Sequence, residues 1–399
     1  MEAVAMSATT GLHQAAAPEQ AFQRGIEALR RGALEAADAA FADCLRQAPL
    51  HPPARLGRAM VLSARGRTGE ARDAVRALLA DAPGFGPAQR ALADALREAE
   101  PAEAGQWFTR CARRDPADVG AIGGALLLAA RLQREGRTAP DATSPPLAAA
   151  PQRISVVMCS IRPAMLARAR DSLARAFGGA PWELVHVDDA RSLCEGWNRG
   201  LARARGDIVV FCHDDIALAC DRLGERLAGA LARDDVVGAA GSTRLAGPNW
   251  VWAGAVHARG WMTHMREGEL LAGAYALEGP EAGGIETLDG VFIAARRDAA
   301  QAIGFDAEAF DGWHLYDADF CWRARRAGLR LAVRCDLGLV HWSEGGFDAA
   351  WAHYARRFLQ RAGLPESPMP QAPGAAVPVA TIDALPGMHA WLAYWIANA

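Results

Sequence analysis

Lysine is missing from this chain: all 43 basic residues among its 399 are arginine. That excludes Schiff-base and pyridoxal chemistry, a Walker-A phosphate loop and a kinase-type phosphate lysine, each of which needs a primary amine. Excess charge is scarce as well. A net charge of -3 gives no general attraction to nucleic acid or to an anionic membrane. The 8 cysteines form no CxxC pair and no metal-ligand spacing, which argues against a zinc site or disulfide framework. Reduced thiols in the cytosol are the simplest reading. The longest apolar run, Gly120 to Ala130, is shorter than a bilayer span and is bounded by Asp118 and Arg131. Met1-Glu2-Ala3 opens without a basic-then-apolar leader. The expectation is a cytoplasmic protein, peripheral at the inner membrane at most. Abundant Ala and Arg without Lys reads as high-GC coding and a bacterial source. What is present, 51% hydrophobic and 22% charged residues, suits a soluble chain of two or three domains.

Repetition is the first positive signal. Ala37, Phe41, Cys44 and Pro49 recur 34 residues later as Ala71, Val75, Leu78 and Pro83. Ala104, Phe108, Cys111 and Pro116 form a third set, one residue short of that period. Within each set three side chains share a helical face and the proline ends the helix. The pattern resembles the tetratricopeptide repeat over about residues 18–116, with Asp118–Arg134 as a closing helix. Ala21 and Ala28 stand where that repeat usually has large aromatics. Gly84-Phe85-Gly86 and Gly120-Ala121-Ile122-Gly123 follow no strand and read as a turn and close helix packing. Charge over residues 1–135 is balanced, 17 Arg against 16 acids, so the array points to a protein partner.

A linker over 136–152, with Pro140, Pro145, Pro146 and Pro151, separates the array from a different periodicity. Ile154–Cys159, Glu183–Val187 and Asp207–Cys212 are short apolar β-type runs. Between them, Leu193, Trp197 and Leu201 mark a helix. This alternation predicts a parallel sheet covered on both faces, with chemistry at the C-terminal strand ends. Those ends carry Ser160-Ile161-Arg162-Pro163, Asp188-Asp189-Ala190-Arg191-Ser192 and His213-Asp214-Asp215. Four carboxylates at two neighbouring strand ends repel one another, and a divalent cation on a diphosphate would relieve that. Helix and turn capping is the competing explanation, strongest for Asp189.

The strand-end motifs occur with Asn198-Arg199-Gly200, Leu288-Asp289-Gly290-Val291-Phe292-Ile293, Gly304-Phe305-Asp306 and Tyr316-Asp317-Ala318-Asp319-Phe320-Cys321-Trp322-Arg323. In this order, residues 153–345 resemble a family 2-type glycosyltransferase of the glycosyltransferase-like subgroup. The fold class implied is an α/β GT-A (nucleotide-diphospho-sugar transferase) domain behind an N-terminal all-α tetratricopeptide-like solenoid.

The resemblance assigns roles. Ser160, Asp188, Asp214, Asp289 and Gly290 would bind the nucleotide and donor sugar, Asp188 at the base and Asp289-Gly290 beneath the sugar. Asp215 matches the last acid of the metal-binding DXD motif, and His213 stands where that motif has its first acid. Asp214 would be a ribose or metal contact. His341 matches a late histidine that approaches metal or diphosphate, and Mn²⁺ or Mg²⁺ is the implied cofactor. Asp317 matches the catalytic base of inverting members, with Tyr316 in place of the usual Glu. Asp319 is better read as a partner of Arg323 on the same helix.

Nine of the 12 tryptophans lie between 153 and 363, and Trp313 with His314 is the candidate acceptor contact. Pro365, Pro368, Pro370, Pro373 and Pro378 make a tether. The apolar Ala390-Trp391-Leu392-Ala393-Tyr394-Trp395-Ile396 is expected to dock on the chain itself.

The organisation expected is therefore a disordered 1–17, repeats over 18–135, a linker over 136–152, a GT-A domain over 153–363 and a tail over 364–399. Its function would be inverting, metal-dependent sugar transfer from a nucleotide-diphosphate sugar to a glycan, lipid-linked or protein acceptor. The repeats would recruit acceptor or partner; no nucleic acid and no transmembrane segment are implied. The alternative is a non-catalytic repeat scaffold with a degenerate second domain. A nucleotidyltransferase would need a Gly-rich basic loop after the first strand, and Ser160-Ile161-Arg162-Pro163 is not one.

Overall fold

A computed structural model describes residues 17–140, 152–343, 346–370 and 374–399. The segment expected to be disordered up to residue 16, linker residues 141–151 and Pro373 lie outside the described residues. The chain divides into two compact units, one ending at Cys111 and the other beginning at Ala112.

In the first unit, α1 (17–30), α2 (Leu34–Gln47), α3 (Pro52–Ala64), α4 (Thr68–Asp81), α5 (Gly86–Leu96) and α6 (Pro101–Arg114), whose last residues belong to the second unit, follow in short-looped succession. Pro49, Pro83 and Pro116 each fall just beyond the ends of α2, α4 and α6, where a proline cannot continue the helix. Pro52 opens α3, and the His51 side chain accepts from the Ala54 N–H at 3.2 Å. The repeated residues are the core: Ala37, Phe41, Cys44, Val75, Leu78, Ala104 and Phe108 are buried. Ala21 and Ala28 are buried beside Phe41, so one aromatic ring fills the space that small neighbours leave.

In the second unit, α7 (Val119–Arg134) precedes β1 (Ile154–Cys159), α8 (Pro163–Phe177), β2 (Trp182–Val187), α9 (Leu193–Arg203) and β3 (Ile208–Cys212). Then come β4 (Ile216–Leu218), α10 (Leu223–Leu231), β5 (Val236–Gly238), β6 (Ala240–Ser242), β7 (Ala258–Arg266) and β8 (Glu269–Ala274). They are followed by β9 (Glu281–Ile285), β10 (Thr287–Leu288), β11 (Phe292–Arg296), α11 (Arg297–Ile303) and α12 (Tyr316–Arg326). β12 (Leu331–Arg334), β13 (Leu339–His341), α13 (Ala349–Ala362), β14 (Ala375–Val379) and α14 (Leu385–Asn398) complete it.

The main sheet has the order β2-β1-β3-β11-β5-β12-β9. Its β2-β1-β3 part is parallel, as the alternation predicts, but β11 is antiparallel to β3 and β5. From β10 in the second sheet the chain passes straight into β11, which re-enters the main sheet between β3 and β5, antiparallel to both. A second sheet runs β10-β6-β7-β13-β4, with β8 and β14 added beyond β7.

Glycines set how closely α9 approaches β1. A Cβ on Gly196 would lie 2.5 Å from Cys159 Sγ, and one on Gly200 would overlap Val157. Only hydrogen at both positions lets the helix sit on the strand that ends in Ser160. The apolar C-terminus docks within this unit, with Trp391, Leu392 and Trp395 of α14 buried. α14 and β14 both pack on α7, and Trp391 Nε1 donates to the Arg137 carbonyl at 3.1 Å.

Gly57 tests the packing of the first unit. Alanine there improves helix propensity by about 1 kcal/mol, but its Cβ would meet Phe41 Cζ at 2.5 Å. Overpacking should win, lowering stability by about 1–3 kcal/mol. Chemical unfolding of Gly57→Ala reads the sign, and Phe41→Leu in the same chain should recover most of the loss. A more stable Gly57→Ala protein would contradict this packing.

Candidate active site

β1 leads to β2 on one side of itself and the chain then crosses to β3 on the other, so the crevice between β1 and β3 is a topological switch point. A cavity of about 320 Å³ opens there. Ser160 and Arg162 line it from the end of β1, His213, Asp214 and Asp215 from the end of β3, and Trp313 from the loop before α12.

Asp214 and Asp215 are both buried, and burial of a carboxylate demands compensation. For Asp214 it comes from Ser160 Oγ, which donates to Oδ2 at 2.6 Å, and from Arg162. The Arg162 Nε donates to Oδ2 at 3.1 Å and Nη2 to Oδ1, a two-pronged fork. For Asp215 the two oxygens divide their partners. Oδ2 accepts from Ser343 Oγ at 2.7 Å and lies 3.9 Å from Arg162 Nη2. Oδ1 lies 3.5 Å from His341 Nε2 and 3.8 Å from His213 Nδ1. Burial opposes ionisation of Asp215, yet the bond and charge of His341 and the Ser343 hydroxyl outweigh it, holding this carboxyl well below the usual range.

His213, Asp215 and His341 offer one ligand atom each, all within 4.8 Å of one another. Burial and the neighbouring His341 keep the His213 imidazole below its ordinary pKa, hence neutral and able to offer a lone pair. Two imidazoles and a carboxylate are a donor set compatible with a first-row divalent ion, whereas Mg²⁺ prefers all-oxygen surroundings.

His213 Nε2 is 2.6 Å from the phenolic oxygen of Tyr316, and Trp197 packs edge-on against the Tyr316 ring at 5.0 Å. Thus the two departures from the family pattern, His213 and Tyr316, contact each other. Where two acids would repel, this chain has a hydrogen bond. Tyr316 opens α12 directly after Leu315, whose backbone is left-handed at φ 59°. That sparsely populated conformation sits next to the functional residues.

Asp317 accepts from the Gly290 N–H at 3.0 Å. Its pKa is raised to about 7, first by burial and then by the charge of Asp289. Asp289 is itself fixed by the Trp250 indole N–H at 2.9 Å and by the Val291 N–H at 2.9 Å. A Cβ on Gly290 would lie 2.5 Å from Tyr316 and 2.8 Å from Asp317 Cβ, so the missing side chain makes room for these residues.

The expected site residues therefore fall into groups. Ser160, His213, Asp214, Asp215 and Trp313 share the cavity, with His341 behind Asp215. Asp289, Gly290 and Asp317 form a second cluster, joined to the first through Tyr316. Asp188 is exposed at the end of β2, beside the cavity-lining Val187 and Ala190, with no side-chain partner among the described residues. His314 turns toward Asp348 at 3.8 Å and does not line the cavity, whereas Trp313 is 52% exposed within it. Asp319 pairs with Arg323 at 2.7 Å and Asp189 with Arg199 at 2.8 Å.

Sequence reasoning passed over Arg162, Ser343 and Trp250. Arg162 lies within a quoted motif and Ser343 two residues after His341, but nothing in spacing tells which way their side chains turn.

Residues 155–362, more than half of the chain, match the Glycosyltransferase like family, and the chain belongs to that family. A Fuscovulum blasticum protein described as ATP synthase subunits region ORF 6 is 28% identical over 168 residues, 40% of this chain. The match spans 61% of that curated relative's length. Among solved structures, MamA of Desulfovibrio magneticus RS-1 is 23% identical, with 29% of this chain and 65% of that one covered and a TM-score of 0.26. PilF of Pseudomonas aeruginosa is 19% identical, covering 31% and 58% at a TM-score of 0.29. A mutant O-GlcNAc transferase of Thermobaculum terrenum is 18% identical, covering 44% and 39% at 0.27. Overlaps this small leave the fold to be read from the chain's own elements.

The raised pKa of Asp317 makes stability pH-dependent with a definite sign. Unfolded, the group titrates near 3.8; folded, at about 7. Between these values the folded chain holds a proton that the unfolded chain has released, so the Asp317 contribution is most favourable below the lower value and falls as pH rises to the upper one. Relative to Asp317→Asn, the metal-free protein should lose at most about 4 kcal/mol across that window, less because Asp317 is only half-buried. Urea midpoints at several pH values check this. A constant difference between the two proteins would contradict it.

Proposed function

We propose that this chain is an inverting, Mn²⁺-dependent glycosyltransferase that moves a sugar from a nucleotide-diphosphate sugar to a glycan, lipid-linked or protein acceptor. The observation that carries the reading is the pairing of the His213–Asp215–His341 cluster with a carboxyl, Asp317, whose pKa lies near neutrality. They are separated by one hydrogen bond and one residue, through Tyr316.

Inversion needs one base on the acceptor side and a stabilised leaving group on the other. Asp317 takes the acceptor hydroxyl proton as the acceptor oxygen bonds to the anomeric carbon; the bond from that carbon to the diphosphate breaks. Near-neutral titration suits this task, since the carboxylate form is populated at physiological pH and still basic enough to accept the proton. His213 Nδ1, Asp215 Oδ1 and His341 Nε2 would hold the divalent cation, which would neutralise the charge developing on the departing diphosphate. Asp289, fixed by Trp250, and the Gly290 backbone would lie beneath the donor sugar. Asp188 would meet the base, and Trp313 would offer the acceptor an exposed indole face. The helical repeats would recruit the acceptor or a partner protein. No helix among the described residues is long and apolar enough to cross a membrane.

The test is a panel of nucleotide sugars with Mn²⁺ or with EDTA. One donor should release nucleoside diphosphate only with metal, and Asp215→Asn should abolish the release. Asp317→Asn should lower turnover about 10²–10⁴-fold while leaving donor affinity nearly unchanged. Activity of the wild type should rise with pH through about 7, where Asp317 titrates. Folded protein that binds no donor would overturn the reading.

A further inference from the structure

A diphosphate entering the cavity meets an unfavourable wall. Among the lining residues the carboxylates are Asp214 and Asp215, and the only basic side chains are Arg162 and His213. Arg162 is the one guanidinium there, set against two carboxylates. A divalent ion held by His213, Asp215 and His341 would reverse the sign, but from the Oδ1 side of Asp215. The opposite, Oδ2 side belongs to Ser343 and Arg162.

The state of Asp214 is decisive. Its side chain is 8% exposed, and both oxygens are engaged, Oδ2 by Ser160 and Arg162 and Oδ1 by Arg162. To reach a ribose hydroxyl or the metal it would have to release partners that compensate its burial. Arg162 presents the reverse picture: its side chain is 51% exposed and lines the cavity. The fork to Asp214 uses Nε and Nη2, leaving Nη1 with no partner among the described residues. A guanidinium gripped on one edge by a buried carboxylate is preorganised to donate from the other edge to an anion.

We infer that Arg162 is a diphosphate-binding residue of the donor site and that Asp214 is a positioning residue, holding Arg162 in place without touching the donor. This inference rests on the proposed nucleotide-sugar reading. It departs from the role the family pattern implies for Asp214, a ribose or metal contact. The two assignments differ in sign and in additivity. If Asp214 merely crowds the site with negative charge, neutralising it strengthens anion binding. If it contacts the donor independently, its loss adds to the loss of Arg162. If it acts through Arg162, either substitution weakens binding and the second adds little.

The experiment is calorimetric titration of UDP, GDP, ADP and dTDP in Mn²⁺ into wild type, Arg162→Gln, Asp214→Asn and the double variant. Mn²⁺ affinity without nucleotide is followed by electron paramagnetic resonance. Each single variant should weaken binding of the preferred diphosphate about tenfold or more. The double variant should be within about twofold of Arg162→Gln, and Mn²⁺ should still bind without nucleotide. If Asp214→Asn fails to fold, Ser160→Ala, which frees one prong of the clamp, takes its place with a smaller loss expected. Unchanged binding by Arg162→Gln, tighter binding by Asp214→Asn, or additive losses would overturn the inference while leaving the transferase reading intact. No binding of any of the four diphosphates to folded wild type would overturn both.

Discussion

Two buried carboxylates in succession at the end of β3 are the constraint around which the second unit is organised. Neither Asp214 nor Asp215 can stay ionised out of water without partners, and no single element could supply them all. Ser160 and Arg162 come from the end of β1, and His341 and Ser343 from the end of β13 in the other sheet. His213 directly follows β3. The crevice between β1 and β3 is thus fixed by electrostatic necessity as well as by strand order. Parallel pairing of β1 with β3, Met158 opposite Cys212, brings the Ser160 end of β1 level with the acids it meets.

The partners of these acids are not interchangeable. Each oxygen of Asp215 looks to a different set, histidines on one side and donors of hydrogen bonds on the other. Tyr316 extends the arrangement, fixing the His213 ring through Nε2 so that Nδ1 faces Asp215. Because Tyr316 also precedes Asp317 on α12, one helix start positions a metal-ligand neighbour and the candidate base together. Burial of Asp317 beside Asp289 raises its pKa, whereas Asp319 is committed to ion pairs with Arg323 and Arg361.

Much of this was legible in the sequence, for identifiable reasons. Strand ends can be read because apolar β-runs stop abruptly, and ligand sites fall there by topology, so Ser160, His213, Asp214 and Asp215 could be named without coordinates. The repeats were legible because the spacing of Phe41, Val75 and Phe108 is a packing rule. The antiparallel β11 escaped the pattern, since alternation of strands and helices says nothing about strands that arrive without a helix. Arg162 was printed in a motif and still missed, because arginine direction is settled by a buried partner 52 residues away. His213 and Tyr316 read separately as defects; only their contact shows that they compensate each other. Gly290, expected beneath the donor sugar, also gives room to Tyr316 and Asp317, a packing role that spacing does not reveal.

Anomalous diffraction at the manganese edge, from protein crystallised with Mn²⁺ and its preferred nucleoside diphosphate, tests the central claim most directly. The account predicts a peak about 2.0–2.3 Å from His213 Nδ1, Asp215 Oδ1 and His341 Nε2, with diphosphate density on it. A peak held by other residues, or a diphosphate lying away from these acids, would contradict the account.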